Sequence, residues 1–337
     1  MSIASPALGN SGPLVTIAIP TFNRASWLKG CVESALSQTY ENVEVVVSDN
    51  GSTDGTSDLL KDLSHPKLRV VRQRTNIGLI ANWNACLAEA RGEYILVLSD
   101  DDRIGAEALE RCVALTRIDP QLPIIVALCD QRNSGGHKVW DAAASRRLYT
   151  GVWQGFDILI EYLQCRISTQ MCTMMLRTEQ VRACGGFPPD LPHVADMAVV
   201  ARLLFNGRGG LVNECCGSYG LHDSRETSRL TVDLRLNDTR KLADMIIDMA
   251  RDHIKDKRKA DQTKMAAGRY FSMCAADYLL QYCSGGATFS EIVSALWRWR
   301  AALAPAALVY LHRGAKRFAV ELLPVPVINF ARQLSAR

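Results

Sequence analysis

Residues 93–102 read Glu93-Tyr94-Ile95-Leu96-Val97-Leu98-Ser99-Asp100-Asp101-Asp102. A short continuous apolar run followed by turn-forming residues is a strand buried on both faces. This one stops in three adjacent carboxylates, which repel one another at close range. Similar apolar runs lie at 14–20, 43–48 and 68–72 before it and at 124–129 after it. Between them, segments 24–38, 54–63, 79–90 and 106–118 have helical character. In the first, Trp27, Leu28, Cys31, Val32, Ala35 and Leu36 recur at three-to-four spacing. This βα alternation predicts an α/β fold, a parallel sheet with helices on both faces.

In open sheets of this kind, ligands sit beyond the carboxyl ends of the strands. The polar residues collect there. The first strand runs into Pro20-Thr21-Phe22-Asn23-Arg24 and the second into Ser48-Asp49-Asn50-Gly51-Ser52-Thr53-Asp54-Gly55-Thr56. The third runs into Arg74-Thr75-Asn76-Ile77-Gly78, and the fourth into the Asp triplet. Taken singly, each has a plain reading. Asn23 caps the next helix, Asp49 and Asp54 make a turn and a cap, and the triplet is a solvated loop. Taken together, they describe a binding crevice. Crowded carboxylates are relieved by a cation, and hard oxygen donors suit Mg²⁺ or Mn²⁺. Neither GxGxxG nor GxxxxGK[ST] occurs, so a nucleotide here is expected to be held through side chains and metal, not by a glycine-rich loop.

The runs TIAIPTFNR at 16–24, SDNGSTDGT at 48–56, NIGLIANWN at 76–84 and EYILVLSDDD at 93–102 resemble the family 2 nucleotide-sugar glycosyltransferases of the GT-A fold. The resemblance covers about 14–225. It implies that Pro20, Thr21 and Asn23 line the nucleotide site, with Asp49 on the nucleobase and Arg74 and Asn76 bordering the same site. It implies that Asp100 faces the ribose or the sugar, and that Asp101 binds the metal with Asp102 beside it. Ser99 stands where the family's acidic motif begins with Asp. After Gly185-Gly186-Phe187 the family places an acidic catalytic base at a helix start. Asp196 fills that position, with Ala195 where a Glu is usual, and Asp190 competes for the role. His222, in Gly217-Ser218-Tyr219-Gly220-Leu221-His222, matches a segment whose His closes on metal and diphosphate.

The activity so implied is metal-dependent, inverting transfer of a sugar from a nucleotide-diphospho-sugar, a UDP-sugar above all, to an acceptor hydroxyl. The acceptor class is a saccharide or a lipid-linked saccharide, in cell-surface polysaccharide or glycolipid assembly. The alternative is a catalytically inactive nucleotide-sugar-binding module of the same fold.

The 337 residues are 48% hydrophobic and 22% charged, ordinary globular usage. A net charge of +4 excludes a dedicated nucleic-acid binder. Residues 297–337 hold seven basic side chains against Glu321 alone, a net +6 that leaves the rest of the chain at −2. The expected organisation is a flexible tail at 1–13, a GT-A domain at 14–228 and a helical region at 229–337. The last is read as a helical cap or, through Trp297, Arg298, Trp299, Arg300 and the 313–317 basic cluster, as a membrane-surface contact. Eleven irregularly spaced cysteines give no disulfide or zinc pattern. With no signal peptide and no apolar run of roughly 18 residues, the expected location is the cytoplasm, with a peripheral site on the inner face of the plasma membrane.

Overall fold

The computed structural model describes residues 12–142, 144–222, 225, 230–284 and 294. The apolar runs become strands and the periodic segments helices. The order is β1 (Val15–Thr21), α1 (Ala25–Leu36), β2 (Val43–Asp49), α2 (Thr56–Asp62), β3 (Leu68–Arg72), α3 (Leu79–Glu89), β4 (Tyr94–Val97), β5 (Arg103–Ile104), α4 (Ala108–Thr116) and β6 (Ile124–Asn133). There follow β7 (Lys138–Trp140), β8 (Gly151–Gln154), α5 (Gly155–Leu163), β9 (Met174–Arg177), α6 (Thr178–Ala183), α7 (Ala195–Phe205) and β10 (Arg208–Leu221). The strands form one ten-stranded sheet in the order β3-β2-β1-β4-β9-β6-β10-β5, with β7 on β6 and β8 on β10.

Pairing direction decides where the polar strand ends meet. β1 is parallel to β2 and β4, and β2 to β3. β9 is antiparallel to both β4 and β6, so β6 regains the direction of β4, and β10 lies parallel to β6. The carboxyl ends of β1, β2, β3, β4, β6 and β10 therefore share one edge. The register sets Thr21 opposite Asp49 there.

Alternation along the strands sends one set of side chains to each face. Val15, Ile17, Ile19, Val45, Val47 and Leu96 join a core with Leu28, Cys31 and Val32 of α1 and Leu109, Cys112 and Val113 of α4. The opposite face of β1 and β2 carries α3. Each such aliphatic side chain contributes about 1.5–3 kcal/mol by leaving water. The helices thus cover both faces, as the alternation implied. Among the described residues the cysteines are free thiols, and Cys31 and Cys112 are buried.

Two features exceed the sequence reading. β6 runs on past the apolar run at 124–129 to Asn133 and turns back as a hairpin with β7. β10, the 14-residue RGGLVNECCGSYGL, has no clean alternation because two register shifts interrupt its pairing with β6. Its glycines serve close packing: a Cβ on Gly210 would lie 2.8 Å from Ile125 Cγ1, and one on Gly209 3.0 Å from Ile158 Cδ1.

The chain divides into two compact units at Asp223/Ser224. In the second, α8 (Val232–His253) and α9 (Lys257–Ser284) pack together through Leu236, Ala275 and Leu279. Thr231 caps α8 by accepting from Leu234 N at 3.3 Å. The expected tail at 1–13 falls outside the described residues except for its last two, and the basic segment 297–337 falls outside them entirely. No described helix is long and apolar enough to cross a membrane.

Gly155 opens α5 and donates its N–H to Gly207 O at 2.7 Å. A Cβ here would overlap the Leu204 carbonyl oxygen, a backbone atom that cannot turn aside. Gly155→Ala should therefore lower stability by at least about 1–3 kcal/mol, measured as a fall in urea midpoint at unchanged m-value.

Candidate active site

The end of β1 is tied to the loop after β2. Asn23 has φ 52°, a left-handed conformation that Asn tolerates better than most residues. It does not cap α1. Its N–H donates to Ser52 Oγ at 2.9 Å, and its Oδ1 accepts from Thr53 N at 2.8 Å. The donors at the start of α1 are satisfied from the same distant loop: Arg24 N by Thr56 Oγ1 at 3.0 Å and Ala25 N by Asp54 Oδ2 at 3.2 Å. These bonds supply what a local cap would otherwise provide. Pro20 and Thr21 lie on β1 beside Ser48 and Asp49.

Asp49 is fully buried. Its Oδ1 accepts from Ser52 N at 2.9 Å, its Oδ2 from Ser57 Oγ at 2.7 Å, and Arg72 Nε lies 3.6 Å away. The loop after β3 is held by Asn50, which sequence reasoning passed over. Asn50 Nδ2 donates to Asn76 Oδ1 at 2.9 Å, and its Oδ1 accepts from Ile77 N at 2.9 Å. Gly51, with φ 75°, permits the close approach of that loop, since a Cβ would meet Thr75 C at 2.8 Å. Arg74 lies exposed on it.

The three carboxylates after β4 diverge, each to its own partner. Asp100 turns toward β1, where Arg24 Nε is 3.6 Å away. Burial and the neighbouring charge of Asp101 push its pKa up to about 7, against the smaller opposing pull of Arg24. Asp101 Oδ2 lies 2.9 Å from His222 Nε2, and the His222 ring stacks on Trp27. Asp102 points inward and accepts from Gly220 N at 2.9 Å, and burial and Asp101 push its carboxyl up too. Of the three residues expected at the metal, two meet, Asp101 and His222, and Asp102 turns to the β10 backbone instead. Among the described residues no group of three His, Cys, Asp or Glu side chains is arranged to hold a cation. A carboxylate and an imidazole whose neighbours resist further negative charge nevertheless suit a divalent cation that draws its other donors from a bound ligand.

Asp196 opens α7 and accepts from the Met197 N–H at 2.8 Å. Burial pushes its carboxyl above the ordinary range, against the lowering effect of the N-terminal N–H groups. Asp190 is exposed. The residues before Asp196 are pinned to α3 by Asn84, a second residue missed from sequence. Asn84 Nδ2 donates to Phe187 O at 2.9 Å, and its Oδ1 accepts from Phe187 N at 2.9 Å. Gly186, at φ 75°, passes so close that a Cβ would sit 2.5 Å from Asn84 Oδ1. Trp83 meets Phe187 edge-on at 5.2 Å, so it is a packing residue. Trp153 packs likewise on Tyr149 at 4.7 Å.

Residues 16–178, which carry the four strand ends, match the family model described as glycosyl transferase family 2. This segment is a glycosyl transferase family 2 domain. Hyaluronan synthase of Pasteurella multocida is 28% identical over 218 residues, 63% of this chain and 21% of the synthase. The chain thus spans about a fifth of the length of this relative and of the chondroitin synthase of the same species. Among solved structures, S. aureus TarS 1–349 in complex with UDP-GlcNAc superposes with a TM-score of 0.66 at 18% identity, over 89% of this chain and 87% of that one. Mannosyltransferase PcManGT of Pyrobaculum calidifontis, in complex with GDP-Man and Mn²⁺, gives 0.51 at 18% identity, over 97% and 85%. At that identity the likeness concerns the fold, and the fold is that of the GT-A glycosyltransferases.

The family 2 domain carries its carboxylates at a cost in stability. Asp100 ordinarily titrates near 3.8 and in the fold near 7. The folded chain therefore binds this proton more tightly than the unfolded chain. Its contribution is complete below about pH 4 and is lost as the pH rises through about 7. Thermal melts of the metal-free protein should show this decline, and Asp100→Asn should flatten it between pH 4 and 8.

Proposed function

We propose that the chain is an inverting glycosyltransferase that moves a sugar from a nucleotide-diphospho-sugar to an acceptor hydroxyl. The carrying observation is the convergence of four polar strand ends, joined by hydrogen bonds and by the Arg24–Asp100 ion pair, within the segment matched by the family model. The solved relatives bind UDP-GlcNAc or GDP-Man, which supports a nucleotide-sugar donor. In this reading Pro20, Thr21, Asn23 and Asp49 receive the nucleoside, with Arg74 and Asn76 at its border. Asp49 keeps both carboxylate oxygens on its own loop, so it would share one of them with a base. Asp100 faces the ribose or the sugar.

Asp196 takes the acceptor proton. A raised pKa makes a carboxylate a better proton acceptor near neutrality, and its half-buried place at a helix start favours it over the exposed Asp190. The hydroxyl so activated attacks the anomeric carbon from the side opposite the leaving diphosphate, giving inversion without a covalent intermediate. Asp101 and His222 would hold Mn²⁺ or Mg²⁺, with Asp102 supporting the site from the β10 side. The cation would offset the negative charge that develops on the diphosphate. The hyaluronan synthase relative supports a role in cell-surface polysaccharide or glycolipid assembly, and the acceptor in this reading is a saccharide or a lipid-linked saccharide. A cytoplasmic chain resting on the inner membrane face through 297–337 would fit that acceptor.

A panel of UDP- and GDP-sugars in thermal shift, with and without Mn²⁺, followed by product analysis, tests the reading. At least one donor should raise Tm, and Asp101→Ala should remove the Mn²⁺-dependent part. Asp196→Asn should keep the donor shift and lose about 10²–10⁴-fold in transfer rate. Donor binding without any product from the unmodified protein would instead identify an inactive binding module. In flotation with anionic vesicles, deletion of 297–337 should abolish recovery in the lipid fraction.

A further inference from the structure

The ring stack at the acidic loop does more than fill space. Trp27 is the third residue of α1. Its backbone is tied to the loop that carries the carboxylates: Arg103 Nη2 donates to Trp27 O at 3.3 Å, and Arg103 Nη1 to Asp102 O at 2.7 Å. A Cβ on Gly30 would lie 2.6 Å from Arg103 Nη2, so the guanidinium is wedged against the helix. The indole therefore has a fixed position relative to Asp101. His222 reaches the same place from just past the end of β10. The two rings lie 4.5 Å apart at 17°. The imidazole and Asp101 side chains are only 6% and 11% exposed.

We propose that Trp27 is a positioning residue: its indole face fixes the plane of the His222 imidazole, keeps Nε2 on Asp101, and presents the two as a preset donor pair to a divalent cation. A His at a strand terminus otherwise has two free side-chain torsions, and ordering them costs entropy at the moment of binding. A stacked aromatic partner restricts them beforehand. Outer-shell groups that orient a metal-binding His act on affinity in this way. The cation-binding consequence rests on the metal reading above, whereas the ring clamp does not.

Two measurements on the 337-residue chain separate these. In metal-free protein, the His222 Hε1 signal lies in the ring current of Trp27. One of the six histidine signals should appear upfield, vanish in His222→Ala and return downfield in Trp27→Leu. If no signal moves in Trp27→Leu, the clamp is overturned whatever the cation does. Mn²⁺ binding, with the metal alone and free Mn²⁺ read by electron paramagnetic resonance, tests the consequence. Trp27→Leu should weaken binding about three- to tenfold, and Trp27→Phe, which keeps a ring, by no more than about twofold. In a His222→Ala background, Trp27→Leu should add no further loss. Equal loss in both backgrounds would mean that Trp27 only packs, and would overturn the proposal. An unmodified protein that takes up no Mn²⁺ would overturn the donor-pair consequence together with the metal reading, leaving the resonance shift to decide the clamp.

Discussion

Three consecutive carboxylates at the end of a buried strand cannot share one direction. Their mutual repulsion, in a place where water is scarce, is the constraint that organises this protein. The chain resolves it by sending each to a different element: Asp100 to Arg24 past the end of β1, Asp101 to His222 beyond β10, and Asp102 to the Gly220 backbone within β10. Each solution fixes a neighbour in turn. The β10 terminus is held at the acidic loop by two of the three, and the first helix is drawn in by Arg24 and by Arg103. Burial first, and the charge of Asp101 second, raise the carboxyl pKa of Asp100 and of Asp102, which favours positive charge at this edge.

The loops that complete the edge depend on side-chain amides more than on ion pairs. The amides of Asn50 and Asn84 each donate and accept across loops far apart in sequence, that of Asn76 accepts twice, and that of Asn23 accepts from Thr53 N while its own main-chain N–H donates to Ser52 Oγ. An amide can satisfy a backbone N–H and a C=O at once. It therefore suits a surface that must be rigid without adding charge beside a crowded set of acids.

Much of this was legible in the sequence. Continuous apolar runs marked β1 to β4 and β6, and three-to-four spacing marked α1, because burial on both faces or on one stripe imposes those patterns. The polar strand ends were legible because a parallel sheet sends its loops to one edge. β10 was not legible as a strand: its register shifts break the period of two, and its glycines answer to side chains of α5 and β6 that the local sequence does not contain. The partners of the carboxylates were hidden for a related reason. His222 could be placed near Asp101 only through the family resemblance, and nothing within residues 20–30 announces that Trp27 stacks on a ring nearly two hundred positions away. Asn23 looked like a local cap, yet the helix it precedes is capped from across the sheet. Short-range rules fail where a long-range contact supplies the same hydrogen bond.

The Asn84 latch makes α3 a gauge. Its first turn abuts the loop held by Asn50, Asn82 bonds Ser48 at the end of β2, and Asn84 grips the segment that leads to Asp196. The distance between the two ends of the site is therefore counted in helix residues, each a rise of about 1.5 Å and a turn of about 100°. Side-chain swaps along α3 other than at Asn82 and Asn84 would leave that spacing alone. Adding or removing a single residue between Gly78 and Asn84 would rotate the grip out of reach. Away from its two asparagines, drift in this helix is thus freer in composition than in length, which is quantised.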